Sequence, residues 1–312
     1  MATVSRDRAQ LLLVGGLAIA VGLVALAVVL NSGIYTHNLA SRADPTASEA
    51  VGYGAVVRDS TEGLVEFAVA HHPNDFTAQE ANVTAGVVDV SGGIARESAG
   101  HGLLTNATVA ATFEGRTVNQ TGDRVFTDQD GDTDWEVADD AHGVRTFRMD
   151  VQRSSLNESS LPVYSGAFNV TFDPASGGDL IVSLYRDGSG STVVRVTDEG
   201  TGRTFEPCAD DTGTRTVVDL TGATVAEDHC PALERLGDVP RPFDVEFSDT
   251  DNVTGTYGLV VNTTTVGDVG APGASGPSGL ETLYSVHLEL RFRSQRVDYA
   301  TTVTAAPGEP DA

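Results

Sequence analysis

Five carboxylates stand at alternate positions in the run Asp128, Asp130, Asp132, Asp134 and Glu136, with Gly131 among them. Oxygen ligands at that density suit a hard cation such as Ca2+. The run does not follow the helix–loop–helix calcium pattern, which needs glycine sixth and a bidentate glutamate twelfth. Counted from Asp128, Gly131 is fourth and Asp139 is twelfth. An acidic hairpin turn explains the same residues without a metal and is the preferred reading, the five acids remaining the one metal alternative. Trp135, the only tryptophan, reads as a core anchor at the end of that turn.

Cys208 and Cys230 are the only cysteines. On the outer side of a cell they are expected to form a disulfide, worth about 3 kcal/mol through chain entropy. His229 beside Cys230 does not make a catalytic pair, because neighbours on a strand point to opposite faces. His71 and His72 have no further metal ligand at a recognisable spacing, and they read as a polar turn between helices. No phosphate-binding glycine loop, nucleophile elbow or metalloprotease helix occurs, and no pair among so many acids singles itself out as a glycosidase dyad. Neither catalysis nor a cofactor is expected.

Seven of the ten asparagines head an Asn-x-Ser/Thr triplet: Asn82, Asn106, Asn119, Asn157, Asn169, Asn252 and Asn262. Chance would give about two, so glycan attachment on an external domain is the expectation. Asn169 looks most exposed, standing on the polar side of an alternating strand; Asn82 falls inside an expected helix.

The chain has 312 residues, 44 acids against 19 bases and a net charge of −25, and every base is arginine. Such a surface repels itself unless concentrated salt shortens the screening length to about 3 Å, so the balance points to halophilic adaptation. It also excludes nucleic acid as a partner, since phosphate contacts need dense Lys and Arg.

The elements that must carry these residues begin with an anchor. Leu11 to Leu30 is an unbroken run of Leu, Val, Ile, Ala and Gly, long enough as a helix to span about 30 Å of hydrocarbon. Arg6 and Arg8 precede it and the next base is Arg42, which places the start of the chain in the cytoplasm and the rest outside the cell. The stretch Arg6-Asp7-Arg8-Ala9-Gln10-Leu11-Leu12-Leu13 resembles the leader of archaeal type IV pilin-like proteins, the class III signal, as found on haloarchaeal surface proteins. That resemblance implies cleavage between Ala9 and Gln10, and a mature helix that sits in the bilayer and later packs with copies of itself or with other pilin-like subunits. A plain single-pass anchor, never cut, is the alternative reading of the same residues.

Beyond the anchor, Ala50, Tyr53, Val57, Leu64 and Ala68 recur at helical spacing and predict a helix from Pro45 to Ala70. Thr77 and Glu80 form a capping-box pattern for a second helix ending near Gly100. From about Leu103 the period becomes two. Phe168, Val170 and Phe172 share one face, as do Tyr284, Val286, Leu288, Leu290 and Phe292. Further strands are expected over 180–185, 192–196, 215–220, 256–261 and 297–303, with an exposed loop over 267–279 and a frayed tail from 306. The expected architecture is α+β: a leader (1–9), a transmembrane helix (10–35), a helical stalk or helical pair (36–101), an antiparallel β-sandwich-like head (102–304) and a tail (305–312). The functional expectation is a non-enzymatic, membrane-anchored, pilin-like cell-surface subunit whose partners are the bilayer and possible copies of itself. A plain anchored binding protein or adhesin is the rival, and an anchored extracellular hydrolase comes third.

Overall fold

The computed structural model describes residues 45–158, 166–271 and 276–309. Ala9, Gln10 and the apolar run Leu11–Leu30 lie outside these residues. Among the described residues, no helix is long and apolar enough to cross a membrane.

Two helices come first, α1 (Pro45–His71) and α2 (Phe76–Gly100). The strands β1 (Leu104–Val125), β2 (Trp135–Ala141) and β3 (Val144–Gln152) follow, then β4 (Phe168–Pro174), β5 (Leu180–Arg186) and β6 (Thr192–Asp198). Short pieces β7 (Arg203–Thr204), β8 (Cys208–Asp210), β9 (Arg215–Asp219), β10 (Thr224–Val225) and β11 (Asp228–His229) lead to β12 (Phe243–Ser248), β13 (Thr254–Val261), β14 (Ser278–Arg293) and β15 (Asp298–Ala305). One sheet has eight strands in the order β11-β10-β9-β3-β13-β1-β14-β15. The other has the order β2-β12-β4-β5-β6-β7, with β8 also paired to β6. The fold is α+β with antiparallel sheets.

Phenylalanine joins the two sheets. Phe147 of the first lies 6.3 Å from Phe172 and 6.2 Å from Phe247 of the second. Phe126, just after β1, packs edge-on against Phe168 and Tyr257. Each ring removes a large apolar area from water, and the edge-to-face contacts add about 1 kcal/mol apiece. Trp135 closes one end of this core, its ring against Phe247 and its indole N–H donating to Phe126 O at 2.9 Å.

A second core lies under the helices. Ala50, Tyr53, Val57, Val65 and Ala68 of α1 and Val83 and Val87 of α2 pack on Leu283, Val286, Leu288, Leu290 and Phe292 of β14. Of the two arrangements open to the helical segment, stalk or pair, the described residues form a pair lying flat on β1, β14 and β15. Gly86 lets the helices meet: a Cβ there would stand 2.7 Å from Leu64 Cδ2. The α2 cap differs from the Thr77–Glu80 box. Asp75 is the N-cap, its carboxylate accepting from Ala78 N–H at 2.9 Å, an earlier start that leaves Glu80 free to accept from Thr112 Oγ1 on β1. Gln79 ties the pair to the sheet, donating to His72 O at 2.7 Å and accepting from Leu283 N–H at 2.6 Å.

Two segments expected to be loose are tied down. Val266 and Val269 pack against the main core, and Gly267 N–H donates to Val137 O at 3.3 Å, so the ends of the 267–279 loop cover the free side of β2. At the other terminus, Ala306 and Pro307 are buried, Pro307 O accepts from Arg145 Nη1 at 3.1 Å, and Glu309 pairs with Arg241 at 2.9 Å. The expected fraying thus does not begin at 306, because a buried arginine needs that carbonyl.

Candidate functional site

The residues singled out in the sequence are scattered over the molecule. Cys208 of β8 and Cys230, just after β11, are joined in a disulfide with Cα atoms 5.9 Å apart. This staples the end of one sheet to the end of the other. His229 instead points outward to Glu234, at 3.4 Å. His71 and His72 sit at the interhelix turn, where His71 Nδ1 lies 2.8 Å from Phe67 O and His72 Nε2 lies 3.2 Å from Asn82 Nδ2.

The alternating acids serve the turn between β1 and β2. Asp128 is buried and its Oδ1 accepts from the N–H groups of Gly131 and Asp132 at 2.7 and 2.8 Å. Asp134 accepts from Asp249 N–H at 2.8 Å, linking the turn to the end of β12. Asp130, Asp132 and Glu136 are exposed. Among the described residues, no group of three or more His, Cys, Asp or Glu side chains is arranged to hold a metal ion.

The seven sequons divide by exposure. Asn106 and Asn157 are exposed; Asn82, Asn119, Asn252 and Asn262 are half-buried. Asn169 is the correction: it is only 5 % exposed. Its amide donates to Ala167 O at 3.0 Å and accepts from Ser183 Oγ at 2.6 Å. The strand alternation was right about direction but not about what lies outside, because Ala167, Tyr185 and Val193 form a small apolar cluster on that outer face.

Sequence reasoning missed a cleft of about 670 Å³ where α1 meets the sandwich. Arg58 and Glu62 of α1 form one wall, and Tyr284, Ser285 and His287 of β14 another. Arg241, Asn262, Thr304 and Glu309 complete it. These residues come from α1, β14, β15 and three separate segments outside them, so nothing short of the fold assembles them. The charges offset one another: Arg241 with Glu309 at 2.9 Å and Arg58 with Glu62 at 3.5 Å. Buried below, Arg145 donates to Leu283 O at 2.9 Å, and its guanidinium lies 5.4 Å from the Tyr284 ring centre. Burial lowers its pKa to about 10, so it stays cationic at neutral pH. Burial, then the nearby Glu309 carboxylate, pushes the Tyr284 hydroxyl up, which keeps it neutral. Gly143 leaves room for both side chains, since a Cβ would come within 2.6 Å of Tyr284 Oη and 2.8 Å of Glu309 Oε1 and force them to shift. The arrangement offers hydrogen bonds and balanced charge to a polar ligand.

The second sheet carries a crowd of acids on its outer side. Burial, then neighbouring carboxylates, raises the pKa of Glu136, Asp139, Asp179 and Glu246; the neighbours are chiefly Asp139 for Glu136, Asp244 for Asp139, and Asp173 for Asp179 and Glu246. Like charges this close repel at ordinary ionic strength, and concentrated salt relieves the longer-range part of that repulsion.

Compared with known proteins, the chain finds little. A family described as a family of unknown function (DUF7261) matches residues 5–134, a span that takes in the apolar run, both helices, β1 and the acidic turn. No curated protein matches the chain. No solved structure matches it either.

Proposed function

We propose that this chain is a non-enzymatic cell-surface subunit of the pilin-like kind, held in the membrane by residues 10–35, with its acidic β-rich head facing a salty exterior. The observation that carries the reading is the Leu11–Leu30 run, uncharged throughout and preceded by Arg6 and Arg8. Its apolar surface is buried first in lipid and then against neighbouring helices. The helical pair that follows the run fits the reading, because it is packed firmly on the head. The disulfide Cys208–Cys230 fits an oxidising exterior.

Mass spectrometry of the protein extracted from membranes tests this. A mature chain starting at Gln10 is expected. A start elsewhere removes the pilin-like processing, and untagged protein dissolved in the cytosol with both thiols reduced removes the anchor as well. A plain anchored binding protein is favoured by one observation, the polar cleft beside Tyr284; an intact leader together with a saturable polar ligand at that cleft decides for it.

A further inference from the structure

Every sheet must end somewhere, and a terminal strand presents unpaired N–H and C=O groups to any passing chain. Among the described residues three of the four sheet ends are blunted. β11 has two residues, β7 has two, and β8 beside it has three. β2 pairs with β12 through an irregular register, and Asp139 N–H donates to Thr265 O where the 265–267 segment covers its free side.

β15 is the exception. It runs for eight residues in unbroken register with β14, from Asp298 opposite Arg293 to Ala305 opposite Val286. It contains no proline and no arginine, and Asp298 is its only ionised side chain. Antiparallel pairing with β14 satisfies only alternate residues, so the others direct their backbone groups away from the sheet. A second observation points the same way. Val297, Tyr299 and Val303 pack against the core beneath the helices yet remain half-exposed, so that core is open along this edge.

We propose that β15 pairs antiparallel with β15 of a second copy, joining the two eight-stranded sheets into one. Charge selects this occupant. Two chains of net charge −25 repel over most of their surface, and β15 itself brings only one carboxylate, Asp298, to the seam. An antiparallel two-fold puts the two Asp298 side chains about 20 Å apart along the strand, well beyond the screening length of about 8 Å or less. A parallel pairing would set them side by side. In the register centred on Thr301, Tyr299 stands opposite Val303 of the other copy, an aromatic–β-branched pair of the favourable kind. A two-fold perpendicular to the sheet also keeps both helical pairs on one face. The inference is independent of whether the leader is cut.

The test uses the full chain extracted in mild detergent at high salt, with Cys208 and Cys230 left paired. Thr301→Cys and Thr302→Cys each place one thiol at a possible two-fold, and Thr264→Cys on an exposed loop is the control. Under mild oxidation at least one β15 variant is expected to run at twice the chain mass while the control does not. The double variant Ala300→Lys with Thr302→Lys is expected to halve the scattering mass while circular dichroism shows the single chain still folded. Three results would each overturn the proposal: no covalent dimer from either thiol, a dimer indifferent to the two lysines, or protected β15 amides in a particle of single-chain mass, which would assign the edge to a segment of the same chain.

Discussion

Gln79 is the best single lever on the seat of the helical pair. It is fully buried, and its amide bridges His72 O and Leu283 N–H at 2.7 and 2.6 Å. Gln79→Met keeps the shape and removes both partners. Leu283 N–H then has no acceptor in a dry site, which costs about 1–3 kcal/mol, whereas half-exposed His72 can turn its carbonyl to water at about 1 kcal/mol or less. The expected loss is therefore about 2–3 kcal/mol, or roughly 4–10 °C in melting midpoint for a domain of this size. Gln79→Glu separates the two bonds, because a carboxylate still accepts from Leu283 N–H but faces His72 O as a second acceptor; it should recover part of the loss, more at acid pH where the protonated carboxyl can donate. Thermal unfolding followed by circular dichroism gives the midpoints, and hydrogen exchange at Leu283 localises the effect. A Gln79→Met midpoint within about 1 °C of the parent would refute the claim that this amide fastens α1 and α2 to β14, since even the smallest orphaned N–H penalty exceeds it.

Removing the disulfide by Cys208→Ser with Cys230→Ser should cost about 2–4 kcal/mol, because the bond closes a loop of sequence separation 22; urea midpoints measure it, and no change would mean the loop is already ordered in the unfolded chain. Glycopeptide mapping should find Asn106 and Asn157 modified and Asn169 bare, given its burial; a glycan on Asn169 contradicts the packing around Ser183. Glu136, Asp139, Asp179 and Glu246 have raised folded pKa values, so they bind protons more readily folded than unfolded, and their repulsion is present at neutral pH and relieved as pH falls. Lowering the pH into the carboxylate range should raise the midpoint at low salt, and molar salt should shrink the gain. Further acid should reverse the gain, as Asp187 and Asp198, held low by hydrogen bonds from Ser189 and from Thr201, and Asp210, held low against burial by Thr212 and Thr216, become protonated.

The legible parts of this chain are those where one physical rule acts alone. The alternation of Tyr284 to Phe292 gives β14, and the helical spacing of Ala50, Tyr53, Val57 and Ala68 gives α1, because each pattern faces a single core. β1 was not delimited in advance although it is 22 residues long. Its small threonines and alanines carry little hydrophobic contrast, and its register breaks near Val109, Phe113 and Gln120 interrupt the period of two. Asn169 failed for the opposite reason: the polar face it shares is itself roofed. The cleft was illegible because it draws on Arg58, Arg241, Asn262 and Glu309, whose meeting depends on the crossing of α1 over β15 and on the anchoring of the tail by Arg145. Gln79 carries no signature that separates it from any helical glutamine.

The docking of α1 and α2 on β14 and β15 sets a schedule for biogenesis. The helices are translated first, yet the strands that cover their apolar faces are among the last residues made. Until Leu283 to Ala305 leave the ribosome, Val57, Val65, Val83 and Val87 have only each other and β1 to rest on. A nascent chain stalled or truncated anywhere before residue 278 would display two greasy helices to proteases and holdases, so quality control can judge the whole molecule by inspecting its beginning.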